Sequence, residues 1–261
     1  MMRLGMINDY TEGSFAQNKE LGLSCIEFCV NAGADVEKFL ASVPDIKRYS
    51  EQYGVAVASI GRWGADRVNA NGVIEEELQL SYRYIDACAA LSCPVFVCGC
   101  NEVEGLSFYQ NCALAIEYLG RVIDYARGKG VKVAVYNCTK NNFVRKDPVW
   151  DIVLGQLPEL GIKYDPSHCR YDGGNYLAEM KKWGRRFYHV HLKGSLIIDG
   201  ERFDDPPAGM DQTDWGAFFS ILYAYGYDGA LSIEPHSQNW QGELSEAGIR
   251  YTIAYMNKLL F

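Results

Sequence analysis

Phe187-Tyr-His-Val-His-Leu-Lys193 is a short apolar run that carries two histidines two residues apart and ends on a lysine. Side chains alternate across a strand with period two, so His189 and His191 share one face. If Val190 packs against helices, that shared face is turned inward. The pattern recurs on both sides of this run. Ile162–Tyr164 leads into Asp165-Pro166-Ser167-His168, and Ala230–Glu234 leads into Pro235-His236. Toward the N-terminus, similar runs stand at Leu4–Ile7, Cys25–Phe28, Val55–Ile60, Val95–Gly99 and Lys132–Asn137. Most are rich in β-branched or aromatic residues, and Gly130 and Gly229 supply turns ahead of two of them.

Longer amphipathic stretches separate these strands. They are Asp35–Tyr53, bent or broken at Pro44, then Ile74–Leu91, Ser107–Lys129, Pro148–Leu160, Asn175–Trp183, Trp215–Tyr225 and Ser245–Leu260. Strands that alternate with helices pair in parallel through crossovers. Eight such units predict a closed (β/α)8 TIM barrel, with an open doubly wound sheet as the rival architecture. The length of 261 residues suits one such barrel of ~250 residues. No composition shift or linker divides the chain, so residues 1–261 are read as one domain.

Hydrophobic residues make up 48% of the chain and charged residues 22%, with a net charge of −8. That acidity argues against a nucleic-acid backbone as partner, which needs clustered Lys and Arg. It leaves room for an anionic small substrate, which needs only local donors. Nine cysteines, an odd number lying mostly in apolar runs, fit a reducing cytosol better than a disulfide scaffold. The N-terminal residues show no signal-peptide pattern, and no run approaches the ~18 apolar residues of a membrane span. The chain is therefore expected to be cytoplasmic, soluble and free of membrane contact. A dinucleotide fingerprint and a Walker loop are both missing. The 18 tyrosines leave a homo-oligomer open without locating an interface.

In such a barrel, chemistry gathers where strands end and βα loops begin. All four histidines lie at the ends of the last three strands, beside Asp165 and Glu234. Asp165, His191 and Glu234 are the candidate metal ligands, with His189 as a second-layer histidine because His191 stands closer to the strand end. Taken alone, Asp165 before a proline also reads as a turn, and Glu234 as half of an ion pair. Together they suit Mn2+, Zn2+, Co2+ or Fe2+, and less often Mg2+; Mn2+ is put first. Candidate substrate contacts are Arg62 and Trp63 after the third strand, Asn101, Asn142, Lys193 and Arg202. For each, a structural role in a loop is the competing reading.

Four segments resemble the xylose isomerase-like barrels, which include sugar (phosphate) isomerases and epimerases and the related AP endonucleases. They are Gly161-Ile-Lys-Tyr-Asp-Pro-Ser-His168, Phe187-Tyr-His-Val-His-Leu-Lys193, Pro206-Pro-Ala-Gly209 with Thr213-Asp-Trp215, and Tyr225-Gly-Tyr-Asp-Gly-Ala-Leu-Ser-Ile-Glu234. The resemblance implies a Glu-Asp-His-Glu metal set at the ends of strands five to eight. Asp165, His191 and Glu234 match three of its positions, and His168 matches a residue that contacts substrate or metal. The fourth position departs. Where the family reads roughly Gly-Val-x-Leu-Ala-Leu-Glu-Asn-His, this chain has Gly130-Val-Lys-Val-Ala-Val-Tyr136-Asn137-Cys138.

In the resembling ketose epimerases, two metal-bound glutamates exchange protons on opposite sides of an enediolate. Tyr136 in place of one removes a base, since a phenol of pKa ~10 serves better as an acid or oxyanion donor. The implied function is a metal-dependent isomerase or epimerase that abstracts a proton beside the carbonyl of a sugar or sugar derivative. Glu234 or His168 is the base and Tyr136 a candidate catalytic acid. A keto-sugar lyase or hydratase on the same site is the alternative, as is a carbohydrate-binding barrel without turnover. An AP endonuclease-like phosphodiesterase is disfavoured, because no histidine precedes His168 and the chain is acidic.

Overall fold

The computed structural model describes residues 1–261. Its barrel strands are β1 (Arg3–Ile7), β2 (Cys25–Cys29), β3 (Ala56–Arg62), β4 (Val95–Cys98), β5 (Lys132–Tyr136), β6 (Gly161–Tyr164), β7 (Phe187–Leu192) and β8 (Ala230–Ile233). Each is parallel to its neighbour, and β8 closes on β1 with Leu231 opposite Leu4. The closed ring excludes the open doubly wound sheet. All eight expected strands are present, with ends shifted by a residue or so.

Period two divides the strands between two cores. On β5, Val133 and Val135 join the large cluster beneath the helices, whereas Ala134 and Tyr136 pack inside the barrel with Val95, Val97 and Trp63. In register, Tyr136 pairs with Lys163, and Lys163 pairs with His189. Tyr136, Lys163 and His189 therefore form a row of inward side chains on three adjacent strands.

Helix boundaries follow local chemistry. The stretch expected as Asp35–Tyr53 is two helices, Val36–Ala41 and Val43–Tyr53, divided at Ser42. Pro44 lies in the first turn of the second, where its missing N–H leaves no bond unmade. Phe108–Arg127 opens with a capping box between Ser107 and Gln110. Helix Glu12–Glu20 gives little apolar signal: Phe15 is the one large apolar side chain it buries. Two hairpins, Val68–Asn69 with Gly72–Val73 and Leu196–Ile198 with Glu201–Asp204, decorate the loops after β3 and β7. No helix is long and apolar enough to cross a membrane, and all nine cysteines are free.

Gly61 on β3 makes room for the Trp63 indole. A Cβ there would lie 1.6 Å from Cζ3 of Trp63, too close for any rotamer adjustment to be small. Gly61→Ala is expected to destabilise the fold by ~1–3 kcal/mol through overpacking. Urea unfolding of the purified variant checks this, with no loss of stability counting against the packing argument.

Candidate active site

Glu27, near the end of β2, is fully buried at the barrel centre. His189 Nε2 lies 2.5 Å from its Oε2, and His191 Nε2 lies 2.8 Å from the same oxygen and 2.9 Å from Oε1. The other nitrogen of His191, Nδ1, lies 2.8 Å from Glu234 Oε2. His191 is thus held between an inner and an outer carboxylate, which sets the ring orientation as carboxylates do for metal-bound histidines. Burial raises the Glu27 pKa, but His189 and His191 outweigh it and hold the carboxyl well below the usual range. Burial disfavours charge on His191, yet Glu27 and Glu234 hold its pKa above the usual imidazole value.

Asp165 follows β6 and begins the short helix Pro166–Tyr171. Its Oδ1 accepts from Ser167 N at 2.9 Å, so the turn reading of this residue also holds. Asn137, just past β5, clamps it by accepting from Asp165 N at 3.0 Å and donating to Asp165 O at 2.8 Å. Asp165 Oδ2 is buried and receives no hydrogen bond. It faces Lys193 Nζ at 3.0 Å and His168 Nε2 at 3.3 Å. Lys193 Nζ is also 3.6 Å from Glu234 Oε2 and 3.4 Å from His168 Nε2. Against burial, Lys193 foremost, then His168 and Lys163, hold Asp165 well below the usual carboxylate range. Burial, aided by Lys193 and Lys163, pushes His168 down to about 4, so its imidazole is neutral near pH 7.

Two sets of side chains bring ligand atoms within 4.8 Å of one another: Glu27, His189 and His191, and Asp165, His191 and Glu234. The first set is fully buried, and its histidine nitrogens Nε2 are taken up by Glu27, with His189 Nδ1 left without a hydrogen-bond partner. The second meets the cavity through His191 and Glu234, as a catalytic metal site with an open position requires. Its donors, two carboxylates and an imidazole around an orphaned Asp165 oxygen, fit a divalent cation.

The cavity beside this set has a volume of about 370 Å³, within the ~300–1,000 Å³ range of small-molecule sites. His168, Lys193 and Trp63 line it, as does Arg202, which the hairpin after β7 delivers to its edge. Arg202 is held by an ion pair to Asp205, and His236 Nδ1 lies 2.8 Å from the same carboxylate.

Four of the expected site residues have side chains outside the cavity lining and engaged elsewhere. Arg62 binds Glu77 through Nη2 at 2.7 Å and Tyr84 Oη through Nη1 at 3.3 Å. Asn101 accepts from Arg67 N and Val68 N, fixing the hairpin after β3. Asn142 accepts from Cys100 N and Val144 N and donates to Tyr136 O. Tyr136 stacks on Trp63 with ring centroids 4.8 Å apart and donates to Lys140 O at 2.8 Å, so its hydroxyl is already spent. Gly99 leaves space for the phenol, since a Cβ there would lie 2.6 Å from Tyr136 Oη.

Glu27, Lys163 and Asp205 are not among the site residues expected from the sequence. Lys163 left a legible signal: it stands two residues before Asp165 on a strand, on the face that turns inward. Asp205 left little, because beyond nearby Arg202 its partners Tyr171 and His236 come from the end of a helix and from the loop after β8.

A family model described as a xylose isomerase-like TIM barrel matches residues 15–259. The chain is 24% identical over 241 residues to the ketose 3-epimerase of Arthrobacter globiformis, covering 87% of this chain and 78% of that protein. It is 24% identical over 173 residues to the uncharacterised protein YfiH of Bacillus subtilis (strain 168), covering 58% of this chain. That match spans about half, 54%, of the Bacillus protein. Among solved structures, the IolI protein with a bound zinc atom has a TM-score of 0.73 and 17% identity, covering 99% of this chain and 98% of that one.

The Glu27 cluster has a distinctive pH signature. The Glu27 contribution to stability is present above the ordinary carboxylate pKa of ~4.3 and is lost as pH falls through the lower folded value. The His191 contribution is complete below the ordinary imidazole pKa of ~6.5 and is lost as pH rises through the higher folded value. Glu27→Gln in metal-free protein is expected to cost ~3–5 kcal/mol, because it strands a buried imidazolium. Urea unfolding across pH should show the largest wild-type advantage between about pH 4.3 and 6.5; a pH-independent difference would contradict the charge assignment.

Proposed function

The chain belongs to the xylose isomerase-like TIM barrel family, and from this membership we propose that it is a metal-dependent isomerase or epimerase of a sugar or sugar derivative. One observation carries the reading. Asp165, His191 and Glu234, from three adjacent strand ends, converge within 4.8 Å at the edge of a closed cavity wall. The ketose 3-epimerase activity of the Arthrobacter relative and the zinc atom of the IolI structure support it.

Asp165, His191 and Glu234 would hold the ion, with Mn2+ put first and Zn2+, Co2+ or Mg2+ as alternatives. When bound, it supplies Lewis-acid polarisation of a substrate carbonyl or hydroxyl. Glu234, at the cavity edge, takes the proton from the carbon beside the carbonyl. Neutral His168 accepts or returns a proton on oxygen, and the Lys193 ammonium beside it donates to the oxygen that gains charge. Trp63 offers an apolar wall to a sugar face.

The opposite wall is different in kind. Tyr136, where the resemblance expects a second carboxylate, is tied to Lys140 O, and Lys163 beside it brings an ammonium to the cavity. This asymmetry favours one-sided proton transfer, and it equally suits a lyase or hydratase that eliminates beside a keto group.

Elemental analysis of purified, metal-supplemented protein is expected to find about one divalent ion per chain, with the ion lost in Asp165→Asn and His191→Ala. Because the competing proton sits on His191, affinity should rise about tenfold per pH unit until its raised pKa is passed. In D2O with a panel of keto sugars, carbon-bound deuterium should accumulate and fall by ~10²–10⁴ in Glu234→Gln. A wild type that holds no ion, or exchange indifferent to Glu234, would sink the reading.

A further inference from the structure

Lys163 is only 3% exposed, and the little of it that is open lines the cavity. Lys193 pairs with Asp165 at 3.0 Å, whereas the Lys163 ammonium makes no ion pair and no hydrogen bond with the protein. The Trp63 ring centroid lies 5.9 Å from it, and Asp165 and Glu234 feel its charge without pairing with it. Burying an ammonium without a hydrogen-bond or ion-pair partner is costly, and a ligand that supplies one relieves that cost.

The placement adds direction. Lys163 is flanked by Tyr136 on one side and His189 on the other, on the wall where the family resemblance expects a glutamate at position 136. A substrate carboxylate would be repelled by a glutamate there. Tyr136 removes that repulsion, and Lys163 next to it supplies attraction.

Resting on the reading of the site given above, we infer that Lys163 is a specificity-determining residue and that the substrate is a sugar acid whose carboxylate binds its ammonium. A carboxylate suits this position better than a phosphate. A phosphate brings a charge near −2 and three acceptor oxygens, which call for several donors. Here one ammonium is free, because Arg202 is already held by Asp205 and approached by His236 Nδ1 at 3.3 Å.

Calorimetric titration of the metal-supplemented protein tests this, using 2-keto-D-gluconate and 5-keto-D-gluconate against D-fructose, L-sorbose and D-fructose 6-phosphate. At least one keto acid should bind ten-fold or more tighter than either neutral ketose. Lys163→Met should abolish the preference and Lys163→Arg should keep part of it. Lys163→Met also removes an unpaired buried charge, so its melting temperature should equal or exceed that of the wild type; should it misfold, Lys163→Gln provides the same comparison. Failure to bind either acid, equal affinity for acids and ketoses, a preference that survives loss of the amine, or tighter binding of the phosphate overturns the proposal. Metal content and deuterium exchange measured in parallel separate it from the broader reading. Acid preference in a protein that holds no ion refutes the metal reading alone. Glu234-dependent exchange without acid preference refutes this inference alone.

Discussion

A carboxylate sealed at the centre of a barrel needs hydrogen-bond partners, and Glu27 takes two histidine rings. Its hold on His189 and His191 sets the inner end of a chain that runs through His191 to Glu234 and out to the cavity. The chain is rigid at its base because no water reaches Glu27 and both histidines emerge from one strand. Each outer group inherits its direction from the one beneath. His191 can present Nδ1 toward Glu234 because Nε2 is already engaged.

A second clamp acts on the neighbouring strand ends. Asn137 binds both the N–H and the carbonyl of Asp165, and the Asp165 side chain then opens the helix behind it. One carboxylate oxygen is spent on that cap and the other faces Lys193 Nζ and His168 Nε2. A residue can thus be both a helix cap and a ligand, because its two oxygens point to different tasks. Lys193 and His168 collect around the free oxygen, and the low pKa of His168 follows from burial beside two ammonium groups.

Two glycines shape the wall that carries Tyr136. Gly99 and Gly61 have no Cβ behind the phenol and the indole stacked on it, which makes room for both rings. The phenol turns into the packing and binds a loop carbonyl, leaving Lys163 as the polar group beside it. The carboxylates and ammonium groups are arranged unequally about the cavity.

The barrel was legible in the chain because it rests on local periodicity: alternation within strands, amphipathic spacing within helices, and polar residues gathered where strands stop. The inward face of His189 and His191 follows from period two alone, and so does that of Lys163, had its charge been weighed. Helix Glu12–Glu20 escaped because a helix that buries one large apolar side chain carries almost no periodic signal. Arg62, Asn101 and Asn142 stand at strand ends as functional residues do, yet they bind Glu77 and the backbone of neighbouring loops. Their direction depends on which donors and acceptors those loops present, and these partners lie up to 42 positions away in the chain. The sequence by itself determined the architecture and the side chains that face the barrel axis, because both follow from spacing. Only the tertiary structure decided which of those side chains are engaged by partners and which, like Lys163, pair with no protein group, because hydrogen bonds between distant segments form only once the barrel has closed.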